Sequence, residues 1–346
     1  MKEKCTYHLL RMGQLKGMMP LVFMVCVCTP ASFAQDVHLS QVYQSYMLFN
    51  PAATAGGDYD YRASLHYRKQ WGAVDKGYGT KGLLGEASFF KGKGNTNFLG
   101  VGLQVFSDKS GGSLLKTTSV KGSAAYHIAT DRFNRLSFGM ALGYEHRSID
   151  MSGLAWDEQY DGLSYDPAAP TGENVASYNR GYVDGSFGWW WWHSQEVDWK
   201  LGYAVHHFLQ NRSFLDSPSD RLYMKQNLIF TLRHALPYIR MNYDAMISRQ
   251  SGAMEAQIGF RTEYRLGMDS KYTNMNTSSA IFAGCHYRVG DAIIPTIGFE
   301  YEREFSAYLS YDLTFSSFNR VVGLGGGPEI SLVYTNVGSG QRIKIK

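Results

Sequence analysis

Apolar and polar residues alternate with a period of two along most of this chain. From Tyr61 to Trp71 the odd positions read Tyr61, Ala63, Leu65, Tyr67, Lys69, Trp71, and the even positions Arg62, Ser64, His66, Arg68, Gln70. Successive side chains of a strand point to opposite faces, so this is a ribbon with one apolar, aromatic side and one polar side. The pattern returns where Leu136, Phe138, Met140, Leu142 and Tyr144 oppose Arg135, Ser137, Gly139, Ala141, Gly143 and Glu145. It returns again at Met254–Arg265 and at Phe305–Ser316. A helix built from these stretches would scatter charge around its whole circumference, so strand is predicted. Fourteen such segments begin near residues 61, 81, 96, 113, 134, 180, 197, 221, 238, 253, 279, 291, 305 and 327. Across 61–336 that leaves about twenty residues for each strand and its connection, enough for long tilted strands.

Two closures fit two-faced strands. A soluble sandwich or barrel turns its apolar face inward; a membrane barrel turns it to lipid and keeps the polar face in the lumen. Here the polar face carries charge on most strands and many glycines and serines. The apolar face bears aromatics near strand ends (Tyr67, Trp71, Trp189, Trp191, Trp199, Tyr203, Tyr301, Tyr334), as interfacial girdles do. The fold predicted is all-β: a transmembrane antiparallel β-barrel of about fourteen strands, of the outer-membrane type.

The N-terminus agrees. Lys2, Lys4, Arg11 and Lys16 precede an apolar run from Met18 to Cys28, and Ser32-Phe33-Ala34 offers small residues at a cleavage site. This layout predicts a cleaved signal peptide over 1–34, and the run is too short for a spanning helix. Of 34 Lys and Arg and 30 Asp and Glu, the signal holds four and one, so the remainder is close to neutral and gives no footprint for nucleic acid. Three of the four cysteines leave with it, and Cys285 alone cannot form an intramolecular disulfide.

Residues 35–60 form a lead-in that is both apolar and turn-like. It reads equally as a strap on the periplasmic end or as a plug or docking segment. Residues 337–346 form a basic tail after the barrel region 61–336. The longest connection, 148–179, is rich in Asp, Gly and Pro and is expected outside, whereas the links at 91–95, 129–133 and 194–196 are short and expected on the periplasmic side. The stretch 267–278 is long for that side.

Few constellations carry chemistry. His206 and His207 are adjacent, so in a strand they would face opposite ways. Ser123 and His127 share the polar face but lie about 13 Å apart along it. Gly323-Leu324-Gly325-Gly326-Gly327 precedes no helix and reads as an external loop rather than a phosphate cradle. Trp189–Trp192 should place two rings on each face. Glu300 and Glu302 read as one face of a strand, partnered with basic lumen residues such as Arg261, Arg265 and Arg288 in a salt-bridge lattice. No catalytic, metal or cofactor site is predicted.

Three stretches resemble the PorP/SprF family of type IX secretion-associated outer-membrane proteins. They are Phe49-Asn50-Pro51-Ala52 through Ala55-Gly56 with Tyr67-Arg68-Lys69-Gln70-Trp71; Tyr287-Arg288 with Asp291-Ala292-Ile293-Ile294-Pro295; and Ser310-Tyr311-Asp312 with Gly327-Pro328-Glu329-Ile330-Ser331-Leu332. The chain departs from the family at Pro328, where a His often stands. The resemblance implies a multi-pass protein of the outer membrane of Bacteroidota-like cells, without enzymatic activity or cofactor. It would assist secretion or surface anchoring of a large adhesin, or serve gliding, with other type IX components as further partners beside the lipid bilayer. Contacts to a partner are expected at Asn50 and Pro51, at Tyr165 and Asp166 in the long connection, and at Arg261, Arg265 and Arg288 in the lumen. The alternative reading is a passive porin or small-solute channel.

Overall fold

A computed structural model of the chain describes residues 39–70, 77–92, 96–110, 115–149, 157–166, 168–170, 178–210, 222–236, 239–266, 279–316 and 325–336. The signal segment, Trp71, the stretch 267–278 and the tail 337–346 lie outside these residues. Fourteen strands are present: β1 (Tyr61–Gln70), β2 (Tyr78–Phe89), β3 (Phe98–Ser110), β4 (Leu115–Ala129), β5 (Asn134–Ile149), β6 (Tyr178–His193), β7 (Val197–His206), β8 (Lys225–Ala235), β9 (Ile239–Gln250), β10 (Ala253–Leu266), β11 (Ser279–Arg288), β12 (Ala292–Tyr301), β13 (Phe305–Thr314) and β14 (Gly325–Asn336). Each begins within four residues of the start that alternation predicts.

Every strand pairs antiparallel with its sequence neighbours, and β1 closes on β14 through the register Tyr61↔Asn336 to Arg68↔Glu329. Closure removes the two edges that an open sheet would expose, and hydrocarbon offers no water to satisfy such edges. The apolar face points outward on all sides. Leu65, Leu83, Phe138 and Ile297 are each about half exposed or more, while their neighbours Ser64, Leu84, Ser137 and Thr296 are buried inside. An apolar exterior of this extent is stable against lipid and would aggregate in water. Aromatics gather at one rim, where Tyr334 contacts both Tyr61 and Phe305 and Trp191 meets Trp199 edge-on.

The two rims differ. One joins strands by the links 90–97, 130–133, 194–196 and 302–304. The other carries the long connections 150–177 and 207–224. In outer-membrane barrels short turns face the periplasm and long loops the outside. Three local expectations need correction. Glu302 lies in the turn after β12 with φ 50°, not on the strand beside Glu300. Gly325–Gly327 open β14 instead of lying in a loop. His207 follows the end of β7 with φ 57°, and this left-handed residue turns its ring into the interior beside His206.

Candidate functional site: a filled lumen

The lead-in runs through the barrel interior. From Leu39 on the long-loop side it passes a 3-10 turn (Val42–Gln44), a short helix α1 (Tyr46–Phe49) and a second 3-10 turn (Pro51–Ala53), then enters β1 from the short-turn side. Leu39, Val42, Met47, Phe49, Ala52 and Ala55 are all buried. All but Ala55 form an apolar core inside the lumen with Leu84, Phe106, Trp190, Trp192, Ile229 and Met246. The plug reading of 35–60 therefore holds over the described part. Of the four consecutive tryptophans, Trp190 and Trp192 face this core and Trp191 faces outward, as alternation requires.

Asn50 and Pro51 sit at the centre of the plug. Asn50 is fully buried; its side-chain oxygen accepts from Ala52 N–H at 2.9 Å, capping the turn that Pro51 begins. Its amide donates to the carbonyls of Trp189 (2.9 Å) and Tyr203 (3.3 Å) on β6 and β7. The wall makes room with glycine. A Cβ at Gly139 would overlap the Ala52 backbone, and one at Gly100 would overlap the Thr54 carbonyl. The lumen glycines thus serve close approach of a second chain segment.

Polar residues of the wall hold the plug by its backbone. His206 Nε2 donates to the Phe49 carbonyl (2.9 Å), as does Asn227 Nδ2 (2.9 Å). His127 Nε2 donates to the Thr54 carbonyl (2.8 Å), and Thr54 Oγ1 donates to Ser123 Oγ (2.9 Å). Ser123 and His127 are therefore plug contacts. Ala55 N–H and the Tyr59 hydroxyl donate to Glu86 at 2.7 and 2.6 Å.

The densest anchor lies on the long-loop side. Arg68 reaches Asp312 at 2.7 Å and Glu329 at 3.8 Å, and Arg288 reaches Asp312 and Asp291 at 3.0 Å and Glu255 at 3.2 Å. Ser40 N–H and Gln41 N–H donate to the two oxygens of Glu329 at 2.6 and 3.0 Å. Ser40 Oγ donates to Asp312 (2.7 Å) and accepts from Arg288 (2.7 Å). Arg68, Asp312 and Glu329 are almost wholly buried. Buried charges are tolerated only when paired and hydrogen-bonded, and here the plug backbone supplies donors that the wall lacks. Arg68, Arg288, Asp312 and Glu329 come from the three motif stretches noted in the sequence; their convergence on Ser40 and Gln41 was not visible there.

Arg261 pairs with Asp244 (3.0 Å) and lies 3.6 Å from the centre of the Tyr43 ring. Tyr46 donates to Asp244 at 2.7 Å; burial first, and then that carboxylate, hold its phenol well above the ordinary range, so it stays a donor. Arg265 pairs with Glu263 at 2.8 Å. Arg261, Arg265 and Arg288 thus all face the lumen, but their partners are Asp244, Glu263 and Asp312 rather than Glu302. Tyr165 and Asp166 lie apart, in an exposed turn of the 150–177 connection where Tyr165 bridges Tyr160.

Among the described residues one group could hold a cation. Glu145, Asp184 and His207 place ligand atoms within 4.8 Å of one another. The Lys121 ammonium already lies 2.7 Å from Glu145 and 2.5 Å from Asp184, with Arg147 4.0 Å from Glu145 and His207 3.0 Å from Asp184, so both carboxylates are already paired within the chain. A small cavity of about 50 Å³ adjoins it, between α1 and the long-loop side, lined in part by Lys121, Glu145, His206 and Lys225.

A family model described as type IX secretion system membrane protein PorP/SprF matches residues 31–334. No curated protein matches the chain. Among solved structures, the Ralstonia pickettii toluene transporter TbuX is similar at TM-score 0.51 and 12% identity, covering 84% of this chain and 93% of its own. A Pseudomonas aeruginosa FadL homologue scores 0.48 at 10% identity over 84% and 93%. BamA from Haemophilus ducreyi, lacking POTRA domains 1-3, scores 0.40 at 9% identity over 80% and 70%. At such identities the first likeness speaks to the barrel fold alone.

Proposed function

The chain belongs to the PorP/SprF family of type IX secretion system membrane proteins, and from that premise we propose that it is a non-enzymatic outer-membrane scaffold assisting the secretion or surface anchoring of a partner protein such as a large adhesin. The observation that carries the scaffold reading is the filled lumen. Residues 39–56 pack against wall residues from β1 to β14, and their backbone is hydrogen-bonded at Ser40, Gln41, Phe49, Thr54 and Ala55. A barrel so filled is a rigid platform whose variable parts are its two mouths. His127, His206 and Ser123 hold the plug directly, and Ser137 and Ser186 bond the two histidine rings, which accounts for these residues without a reaction.

The competing reading is a small-solute channel, favoured by the cavity beside Lys121 and Lys225. The two separate cleanly. Loss of the gene should release or mislocalise one large surface protein or impair gliding; an unchanged surface profile and unchanged motility would overturn the scaffold. Reconstituted protein should show no steady conductance in planar bilayers, whereas a stable open pore would favour the channel.

A further inference from the structure

We propose that the cavity between α1 and the wall strands β3, β4, β5 and β8 is a binding site for small neutral molecules that both donate and accept hydrogen bonds, water being the smallest of them. The motivating feature is a pair of buried amide oxygens. Gln104 on β3 and Asn227 on β8 both line the cavity, and their side chains are 4% and 1% exposed. Among the described residues neither Gln104 Oε1 nor Asn227 Oδ1 has a hydrogen-bond partner. The Asn227 amide is fixed in orientation, because its Nδ2 donates to the Phe49 carbonyl at 2.9 Å. Buried acceptors are almost always bonded, either to protein or to held water. Two bare ones on one cavity mark a place where a donor belongs.

The rest of the lining selects the class of guest. The Lys121 and Lys225 ammonium groups oppose a metal ion. An anion fares no better, because neither lysine is free: Lys121 pairs with Glu145 and Asp184, and Lys225 is also engaged within the chain. It would also meet the Glu145 carboxylate and the two bare oxygens. Glu145 is itself held, accepting from the Tyr182 hydroxyl at 2.7 Å and lying 4.0 Å from Arg147. A hydrocarbon would fit against Leu48, Phe49 and Phe106 but would leave both amide oxygens unbonded, which burial penalises. His206 offers no further nitrogen, since its ring bonds Ser186 and the Phe49 carbonyl, each at 2.9 Å. What remains is a neutral guest whose N–H or O–H groups donate to Gln104 and Asn227, with the Thr117 and Ser119 hydroxyls to complete its bonds.

Volume sets the size. A cavity of about 50 Å³ takes roughly three or four water molecules, and a solute of about four non-hydrogen atoms, such as acetamide, can stand in their place. Thr117 and Ser119 are half-buried and lie toward the long-loop end of β4, so a guest enters from that side. The site divides the seat of the plug. At Asn50–Ala52 the plug touches the wall directly, with the Ala52 backbone against Gly139. One turn earlier, part of the Leu48–Phe49 surface faces β3 and β4 across the cavity. Bridging water can link such surfaces nearly as well as a direct hydrogen bond.

The site does not depend on the scaffold reading, and the test uses the folded barrel with its plug in a neutral detergent. In NMR spectra the side-chain amide groups of Gln104 and Asn227 should show cross-peaks to water of opposite sign in the laboratory and rotating frames, the signature of held rather than passing water. Acetamide should shift the Asn227 amide signal saturably, and Gln104→Leu should weaken that binding about threefold to tenfold, the range of one neutral hydrogen bond. Held water without acetamide binding supports the site with water as its guest; saturable acetamide binding extends it to solutes. A second reading is the temperature at which heat-modifiable migration in gels is lost. Gln104→Leu should lower it if a guest bonds Gln104, whereas in a dry cavity the same change removes an unsatisfied acceptor and raises it. If that variant fails to fold, the spectra of the parent still decide. Absence of both held water and acetamide binding, or a raised midpoint in Gln104→Leu, would overturn the proposal. So would saturable binding of chloride, rubidium or benzene at the Asn227 signal in place of the neutral polar guests.

Discussion

The two ends of the lumen use arginine in opposite ways. On the long-loop side Arg68 and Arg288 are buried, matched by Asp312, Glu329, Glu255 and Asp291, and completed by backbone N–H groups of the plug. On the short-turn side Arg135 and Lys200 rest on rings, and Arg233 and Arg240 stay about a third exposed. A matched, dry charge set has no capacity left for a ligand and works as a lock. Cations that rest on rings or share one carboxylate at this mouth lie nearer water, which screens them.

Removing residues 39–56 should break the comparison most completely. The anchor would lose Ser40 and Gln41 and expose its carboxylates to water, and the barrel should conduct in planar bilayers where the parent does not. A deletion protein that is folded and still closed would refute the plug. Next in size, Glu329→Gln should cost about 3–5 kcal/mol, because it leaves Arg68 and two plug amides poorly matched in a dry site. Lys200→Gln should cost no more than about 1–2 kcal/mol. Urea midpoints in detergent measure both, and equal losses would erase the distinction between the dry anchor and the wetter mouth. Gly139→Leu should destabilise by about 1–3 kcal/mol by forcing a side chain into the Ala52 backbone, and hydrogen exchange in residues 46–55 should rise with it. Asn50→Ala should cost about 1–2 kcal/mol through the lost cap and its bonds to β6 and β7.

The smallest effect concerns Lys91, in the β2–β3 link. Burial lowers its value from 10.5 to about 8, so the unfolded chain binds this proton more readily than the folded one between those limits. Stability should therefore rise with pH from about 8 toward 10.5 relative to Lys91→Gln, and be lower at neutral pH than it would be without that burial. The difference between the two urea midpoints, followed from pH 7 to 10, reads this directly; a difference independent of pH would show that Lys91 is fully hydrated.

Much of the barrel was legible because its cause is local. Tyr61–Gln70 alternates whatever surrounds it, and the outward set Leu65 and Tyr67 and the inward set Ser64, His66 and Arg68 follow from parity alone. Where local parity ends, the reading failed. His207 and Glu302 escape the strand rule through left-handed backbone just past a strand end, and no residue type there announces it. The lead-in divided evenly between strap and plug because Asn50-Pro51 forms the same capped turn in either place.

The chain by itself determined a two-faced ribbon repeated fourteen times, its closure in lipid, and the motif positions Arg68, Arg288, Asp312 and Glu329. Only the tertiary structure decided that these positions meet around Ser40, and that Lys91, Arg135 and Lys200 line up on Phe98 and Trp192. The physical reason is distance along the chain. Alternation is written between neighbours, whereas Ser40 and Glu329 are 289 residues apart, and only the closed cylinder brings such residues within reach of one hydrogen bond.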